Sequence, residues 1–225
     1  MTTIVEKQQP ATSEGFKTFL ESRNEPAWLT EIRNAAWQRF ESLPWPTNRD
    51  EEWMRTDIRM FKLDKFGLPT NQSGGQVPEP VLSTGVDLGG SASCVDGIAV
   101  GDSNLDPDLA AKGVVFGNIS SLLAEHGDLI QKYLFQLVKG DEDRFAALHQ
   151  AAFSSGSFLY VPRNVVVEKP IHLFAGLSDG GSDLSHTVIV LEEGAEATVL
   201  AESVSDENAA GFHNGGIEIL SLIHI

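Results

Sequence analysis

The chain has 225 residues, 41% of them hydrophobic, which is enough to bury the core of one large domain or two small ones. Its 32 acidic against 16 basic residues give a net charge of −16, which excludes a general nucleic-acid binder and opposes contact with anionic membranes. The single cysteine, Cys94, excludes an internal disulfide and cannot hold a metal cluster alone. No signal-peptide pattern or membrane-length apolar run is present, so a cytoplasmic protein is expected.

Helical signals dominate the first part of the chain. Thr12 is a candidate cap for a short helix that carries the apolar residues of 16–20. Apolar residues at three- and four-residue spacing then predict an amphipathic helix from Pro26 to Leu43. The proline-rich stretch 44–46 ends it, and the charged segment 49–57 predicts another short helix.

The middle of the chain mixes the two periodicities. Short strands are predicted at 98–100 and 113–116. A helical pattern follows over 120–138, with a break expected at Gly127 and Asp128, and another helix is predicted over 141–153.

From Gly156 onward the pattern is strand, turn, strand. Six short β-prone runs are separated by turn residues, at 158–161, 165–167, 171–174, 187–191, 198–201 and 217–220. Short strands at near-regular spacing indicate a sandwich, a barrel or a solenoid. No strict repeat is visible, so the pattern alone leaves these three open.

Several sequence blocks resemble one protein family. The N-terminal blocks are EPAWL at 25–29, LPWP at 43–46 and DEEWMRTD at 50–57. Residues 146–174, 186–205 and 211–219 continue the likeness. Together they resemble the SufB/SufD family of the sulfur-mobilisation (Suf) machinery, and the wording of 166–173 is more similar to SufD than to SufB.

The resemblance implies an α+β fold with a helical N-terminal region followed by the first coils of a right-handed parallel β-helix. It implies a non-enzymatic scaffold subunit of the SufBCD complex in iron–sulfur cluster assembly, with SufB and SufC as partners. The nascent cluster, and ATP on SufC, belong to the full complex. No cofactor is expected on this chain, and no catalytic, cofactor-binding or metal residue is carried over, because the family's functional positions lie beyond it.

These patterns and the resemblance together predict a domain organisation. We expect a helical region over 1–68, a linker rich in Pro, Gly, Gln and Ser over 69–84, and a mixed segment over 85–155. The start of the β-helix is expected over 156–220, and 221–225 forms a tail that departs from the family. On this interpretation the β-helix is truncated and the chain is a fragment.

The residues that could carry chemistry favour structural roles. No HxH or HExxH spacing links the six histidines. His126 and His149 are expected on helices, His172 on a strand and pointing outward, and His213 at a turn, while His224 lies in the tail. The sequence around Cys94 offers only acidic neighbours, which predicts an unreactive thiol.

Two other functional classes remain open alongside the scaffold. β-Helix proteins include carbohydrate-active enzymes, in which paired carboxylates do acid–base work. Carboxylate pairs such as Glu192 with Glu193 and Asp141 with Asp143 occur here in turn-like stretches that indicate solvated loops. A generic β-solenoid interaction module is the other alternative.

Overall fold

The computed structural model describes residues 9–69 and 76–222. Five α-helices are formed, α1 Ser13–Glu21, α2 Ala27–Ser42, α3 Pro107–Ala111, α4 Ile119–Tyr133 and α5 Arg144–Ala152. Three short 3₁₀ turns follow α2, at Glu51–Trp53, Ile58–Met60 and Leu63–Lys65. The predicted helix starts are confirmed, since the Thr12 hydroxyl accepts the Gly15 amide and α2 begins directly after Pro26.

Thirteen strands lie in the described residues. They are β1 Gln9–Pro10, β2 Gly67–Leu68, β3 Gly90–Val95, β4 Ile98–Ala99, β5 Asn104–Leu105, β6 Val115–Asn118, β7 Ser157–Val161, β8 Val166–Leu177, β9 Ser182–Asp183, β10 His186–Leu191, β11 Glu196–Ser205, β12 Phe212–His213 and β13 Gly216–Ser221. One sheet has the strand order β13-β10-β7-β6. A second has the order β11-β8-β3-β4, and β5 also pairs with β3. Two two-stranded sheets are formed by β12 with β9 and by β1 with β2. The mixed α+β class is therefore confirmed.

A constant spacing along the chain relates the parallel strands. Val188 of β10 pairs with Phe158 of β7 on one side and with Glu218 of β13 on the other. His213 of β12 lies opposite Asp183 of β9, again thirty residues apart. Two sheets therefore gain one parallel strand per thirty residues. In a third, β11 follows β8 at a spacing of thirty residues up to Ala197 and of twenty-eight residues from Val199 onward. The sequence alone does not display this repeat.

The strand β8 corrects the prediction of two separate strands at 165–167 and 171–174. A single strand runs through Pro170, although proline has no amide proton to donate to a neighbouring strand. The register against β11 shifts between Ala197 and Val199, so an irregularity in the ladder accommodates the proline. The strand β3, which was not predicted, pairs with β8 in parallel.

The helix predicted over 120–138 is also corrected. It bends at His126, whose backbone is non-helical, one residue before the expected break. It ends at Tyr133, because Phe135 adopts a positive φ of 58° and the following amides bond elsewhere. Helix α5 is shorter than predicted and starts at Arg144, where the Asp143 carboxylate caps the Ala146 amide.

Part of the predicted linker is fastened to the sheet. The Glu202 carboxylate of β11 accepts the amides of Val81 and Leu82 at 2.7 and 3.1 Å. Residues 70–75 of the linker lie outside the described residues. Residues 1–8 at the N-terminus and residues 223–225 of the expected C-terminal tail also lie outside them. Ser221 lies within β13.

Three apolar clusters hold these layers together. The first joins α1, α2 and α5, where the rings of Phe16 and Trp37 stack with centroids 4.3 Å apart. A second fills the space between β7, β8 and β10 around Leu159 and Ile171. A third packs α4 against the outer face of β7 and β10, around Phe158. Burial of these side chains is the main favourable term in folding.

Candidate functional site

A chain of buried polar side chains crosses the contact between the helical layer and the sheets. Asn214, His149, His186 and Glu218 are joined in that order, and we call them the His–His–Glu network. The Asn214 carbonyl lies 2.7 Å from Nδ1 of His149, whose Nε2 lies 2.8 Å from Nδ1 of His186. Nε2 of His186 lies 3.0 Å from Oε2 of Glu218. All three titratable members are buried.

Each member comes from a different element. Helix α5 presents His149 toward the sheet, because the face of α5 that carries it is entirely buried. His186 opens β10 and Glu218 lies in β13, two neighbouring parallel strands. The thirty-residue register thus brings His186 and Glu218 together, although no local sequence motif links them.

The hydrogen-bond partners determine where the protons lie. A carbonyl oxygen only accepts, so Nδ1 of His149 donates to Asn214. His149 is neutral, because burial, and then the nearby His186, lower its pKa from 6.5 to about 3. Its Nε2 is therefore an acceptor, and Nδ1 of His186 donates to it.

The other end of the network is a buried carboxylate. Burial alone would raise the pKa of Glu218, but the hydrogen bonds from His186 and from the amides of Leu137 and Val138 outweigh it and lower that pKa. Glu218 is thus ionised and can only accept, so Nε2 of His186 donates as well. The two form a buried histidine–carboxylate pair, and the ring of Phe135 packs 4.5 Å from that of His186.

Glu218 also explains where α4 ends. Its carboxylate accepts the amides of Phe135, Leu137 and Val138 at 2.7, 2.5 and 2.8 Å. Charge-assisted bonds of this kind are stronger than those between neutral groups, so they favour the turn over another helical turn. The carboxylate therefore fastens the connection between α4 and α5 onto β13.

A second buried ionic cluster joins the N-terminal helices to α5. Arg33, fully buried, bonds both oxygens of Glu25 at 2.7 and 2.9 Å. The same guanidinium donates to the carbonyls of Ala151 and Phe153 at the end of α5, where a positive charge complements the helix dipole. Arg23 adds bonds to Glu25 and to the Ser154 carbonyl. This cluster positions α2 on α5.

The structure places the remaining predicted residues apart from one another. His126 lies half-buried at the bend of α4, and His213 is on β12 with Nδ1 2.8 Å from the Asp183 carboxylate. The hydrogen bond from Asp183 raises the pKa of His213. His172 was expected to point outward; it is instead buried, with Nε2 3.2 Å from Glu202. His224 lies outside the described residues.

Cys94 and the carboxylate pairs have structural surroundings. Burial, with a smaller contribution from Asp183, raises the pKa of the Cys94 thiol to about 12. Glu192 accepts hydrogen bonds from the hydroxyls of Tyr133 and Tyr160. Within residues 9–69 and 76–222, no group of three or more His, Cys, Asp or Glu side chains is arranged to hold a metal ion.

Comparison with known proteins identifies the family. A family model described as the SufBD protein N-terminal region matches residues 15–173, from α1 to the middle of β8. The chain belongs to the SufBD family. The resemblance noted in the sequence blocks is therefore confirmed, and the match includes His149 but stops before His186 and Glu218.

Curated SufBD relatives extend the likeness over most of the chain. This chain is 31% identical over 210 residues to the iron-sulfur cluster assembly protein SufD of Bacillus subtilis, and the match covers 87% of this chain and 46% of that protein. It is 26% identical over 214 residues to an iron-sulfur cluster assembly SufBD family protein of Staphylococcus aureus strain MRSA252, covering 88% and 45%. The chain spans about half the length of the curated relatives it matches.

Proposed function

We propose that this chain contributes to a scaffold subunit for iron–sulfur cluster assembly, as part of a SufD-type protein that works with SufB and SufC. The observation that carries the proposal is the 31% identity to a protein named iron-sulfur cluster assembly protein SufD, spread over 210 residues. In this role the cluster is cargo of the complex, ATP is used by SufC, and the chain itself catalyses nothing.

The fold expected of such a subunit is part of the same proposal. Two sheets that gain a parallel strand every thirty residues, and a third that gains one at a spacing of thirty and then twenty-eight residues, are the geometry of a parallel β-helix. A right-handed coil is favoured, because connections between parallel strands of one sheet are right-handed in nearly all proteins. The helices α1, α2 and α5 form the region that precedes this coil in the chain or packs against it.

The outer strand of the coil points to a further covering strand. Leu159 and Ile189 occupy one column of the stack and are buried, whereas Ile219, next in that column, is 46% exposed. Ile217 on the same strand is 55% exposed. An apolar strand edge of this kind readily accepts another strand, so we propose that a further strand of the SufD-type protein covers β13.

The carbohydrate-active enzyme has no support from the comparisons. Of the carboxylates that suggested it, Glu192 binds two tyrosine hydroxyls and Asp143 caps α5. No described helix is long and apolar enough to cross a bilayer. A cytoplasmic location is proposed from the assembly role.

Co-expression tests the proposed partnership. The gene that encodes this chain is expressed with tagged SufC and untagged SufB from the same genome, and the complex is isolated on the tag. We expect the gene product to co-purify with both subunits in a fixed ratio through size exclusion. Recovery of a SufB–SufC complex without it, while it accumulates in folded form, would reject the proposal.

A further inference from the structure

Two adjoining hollows lie along one surface segment, and together we call them the 45–63 groove. The larger has a volume of about 520 Å³ and is lined by residues 46–49 and 54–59. The smaller, of about 340 Å³, is lined mainly by apolar side chains, including Trp45 and Phe61. Ile58 and Arg59 line both hollows, so the two form one continuous groove.

The floor of the groove is held in place from below. Phe145 of α5 contacts three aromatic rings of this segment, those of Trp45, Trp53 and Phe61, with centroids 5.2 to 5.5 Å apart. The Arg144 guanidinium lies 4.5 Å from the Trp45 ring. Because these contacts anchor the short 3₁₀ turns to α5, the groove exists before anything binds, which lowers the entropic cost of binding.

This segment also exposes three large apolar side chains to solvent. Met60 is 81% exposed, Met54 56% and Trp45 38%. Tryptophan, methionine and arginine are enriched in protein interfaces, and methionine adapts to partners of differing shape. Met54 and Met60 belong to none of the three apolar clusters of the described residues, and a binding surface accounts for their exposure.

The charges of the groove run against those of the whole chain. Arg49, Arg55, Arg59 and Lys62 line it, and Asp57 is its only lining carboxylate. Arg59 pairs with Asp57 at 2.8 Å, and its hydrogen bonds lower the Asp57 pKa to about 2, so these two charges cancel. Arg49, Arg55 and Lys62 make no ion pair in the described part of the chain, which leaves three unpaired positive charges on a protein of net charge −16.

We propose that the 45–63 groove binds an acidic peptide segment of a partner protein, with an apolar side chain of that segment seated against Trp45 and Phe61. The carboxylates of the peptide would lie against Arg49 and Arg55. Charge complementarity favours this occupant, because a short acidic segment contacts only the positively charged groove, whereas a second copy of so acidic a chain, or an anionic lipid surface, also meets the acidic remainder of the surface. The proposal does not depend on the iron–sulfur role.

Peptide selection tests this proposal without assuming a sequence. A phage-displayed library of random short peptides is panned on the immobilised 225-residue chain, with counter-selection on the Arg49→Glu, Arg55→Glu variant. We expect enrichment of peptides with Asp or Glu flanking Leu, Phe or Met. A fluorescein-labelled consensus peptide should then bind with a Kd that the double variant weakens by about tenfold or more, and that rises with salt.

Matched variants separate the groove from overall charge. Lys112 and Lys139 are exposed and lie outside the groove, so Lys112→Glu with Lys139→Glu makes the same charge change and should leave the Kd unaltered. Met54→Ala, which keeps all charges, should weaken binding. The proposal would be overturned if the selection enriched basic peptides or no peptides at all. It would also be overturned if both double variants weakened binding equally, or if the chain formed a concentration-dependent dimer that Arg49→Glu abolishes.

Discussion

Acidification should destabilise the protein through one buried histidine, His149. Its pKa is lowered from 6.5 to about 3 in the folded protein, so the unfolded chain binds a proton that the folded chain rejects. Stability is therefore unaffected well above pH 6.5 and falls as the pH drops toward the folded pKa of about 3. Between about pH 8 and about pH 5, this one group should remove about 2 kcal/mol from the free energy of unfolding.

The test compares the wild type with His149→Gln by urea unfolding, followed by circular dichroism at both pH values. Glutamine is uncharged and can both donate and accept, so the variant should lose less stability between the two pH values, by about 2 kcal/mol. The matched control is His126→Gln, which makes the same substitution at a histidine outside the network. Equal pH dependence in the wild type and His149→Gln would refute the assignment of His149 as a buried neutral ring.

Three further outcomes follow from the buried groups. Glu218→Ala leaves the buried His186 ring and three amides without their acceptor, so it should cost about 3 to 5 kcal/mol in urea unfolding at neutral pH, whereas the exposed Glu196→Ala should cost under about 0.5 kcal/mol. Similar costs for both would contradict the network. Arg33→Met leaves the Glu25 carboxylate with Arg23 as its remaining partner and removes the donor to two carbonyls at the end of α5, so it should cost about 3 kcal/mol, measured in the same way. A neutral effect would argue against the Arg33–Glu25 ion pair. Cys94 should react with iodoacetamide far more slowly in the folded protein than in urea at the same pH, and equal rates would disprove its burial.

Local signals in the sequence located the starts of α1 and α2, whereas the short helix α3 was not predicted. Thr12 and Pro26 mark helix starts through capping and through the fixed backbone of proline, effects that act within a few residues. The end of α4 escaped prediction, because the group that ends it is Glu218, more than eighty residues away. Long-range partners of this kind leave no local trace.

The thirty-residue repeat could not be recognised in the sequence, because stacked positions recur every thirty residues while the residue types at those positions differ. The column of Phe158, Val188 and Glu218 holds an aromatic ring, an aliphatic side chain and a carboxylate, so no repeated letter reveals it. For the same reason the sequence could not unite His149, His186 and Glu218. The only sequence feature near the network was Glu218 between Ile217 and Ile219 on a predicted strand. Such an alternating pattern by itself predicts that the glutamate faces solvent, whereas it is buried.

Genetic complementation tests the central claim most directly. The gene that encodes this chain is introduced into cells that lack their own SufD and have no other iron–sulfur assembly system, and the activity of an iron–sulfur enzyme is measured alongside the amount of its polypeptide. A scaffold of the SufBD family should restore that activity at constant enzyme abundance. If the gene product accumulates in folded form and the iron–sulfur enzyme stays inactive, the assembly role proposed here is contradicted.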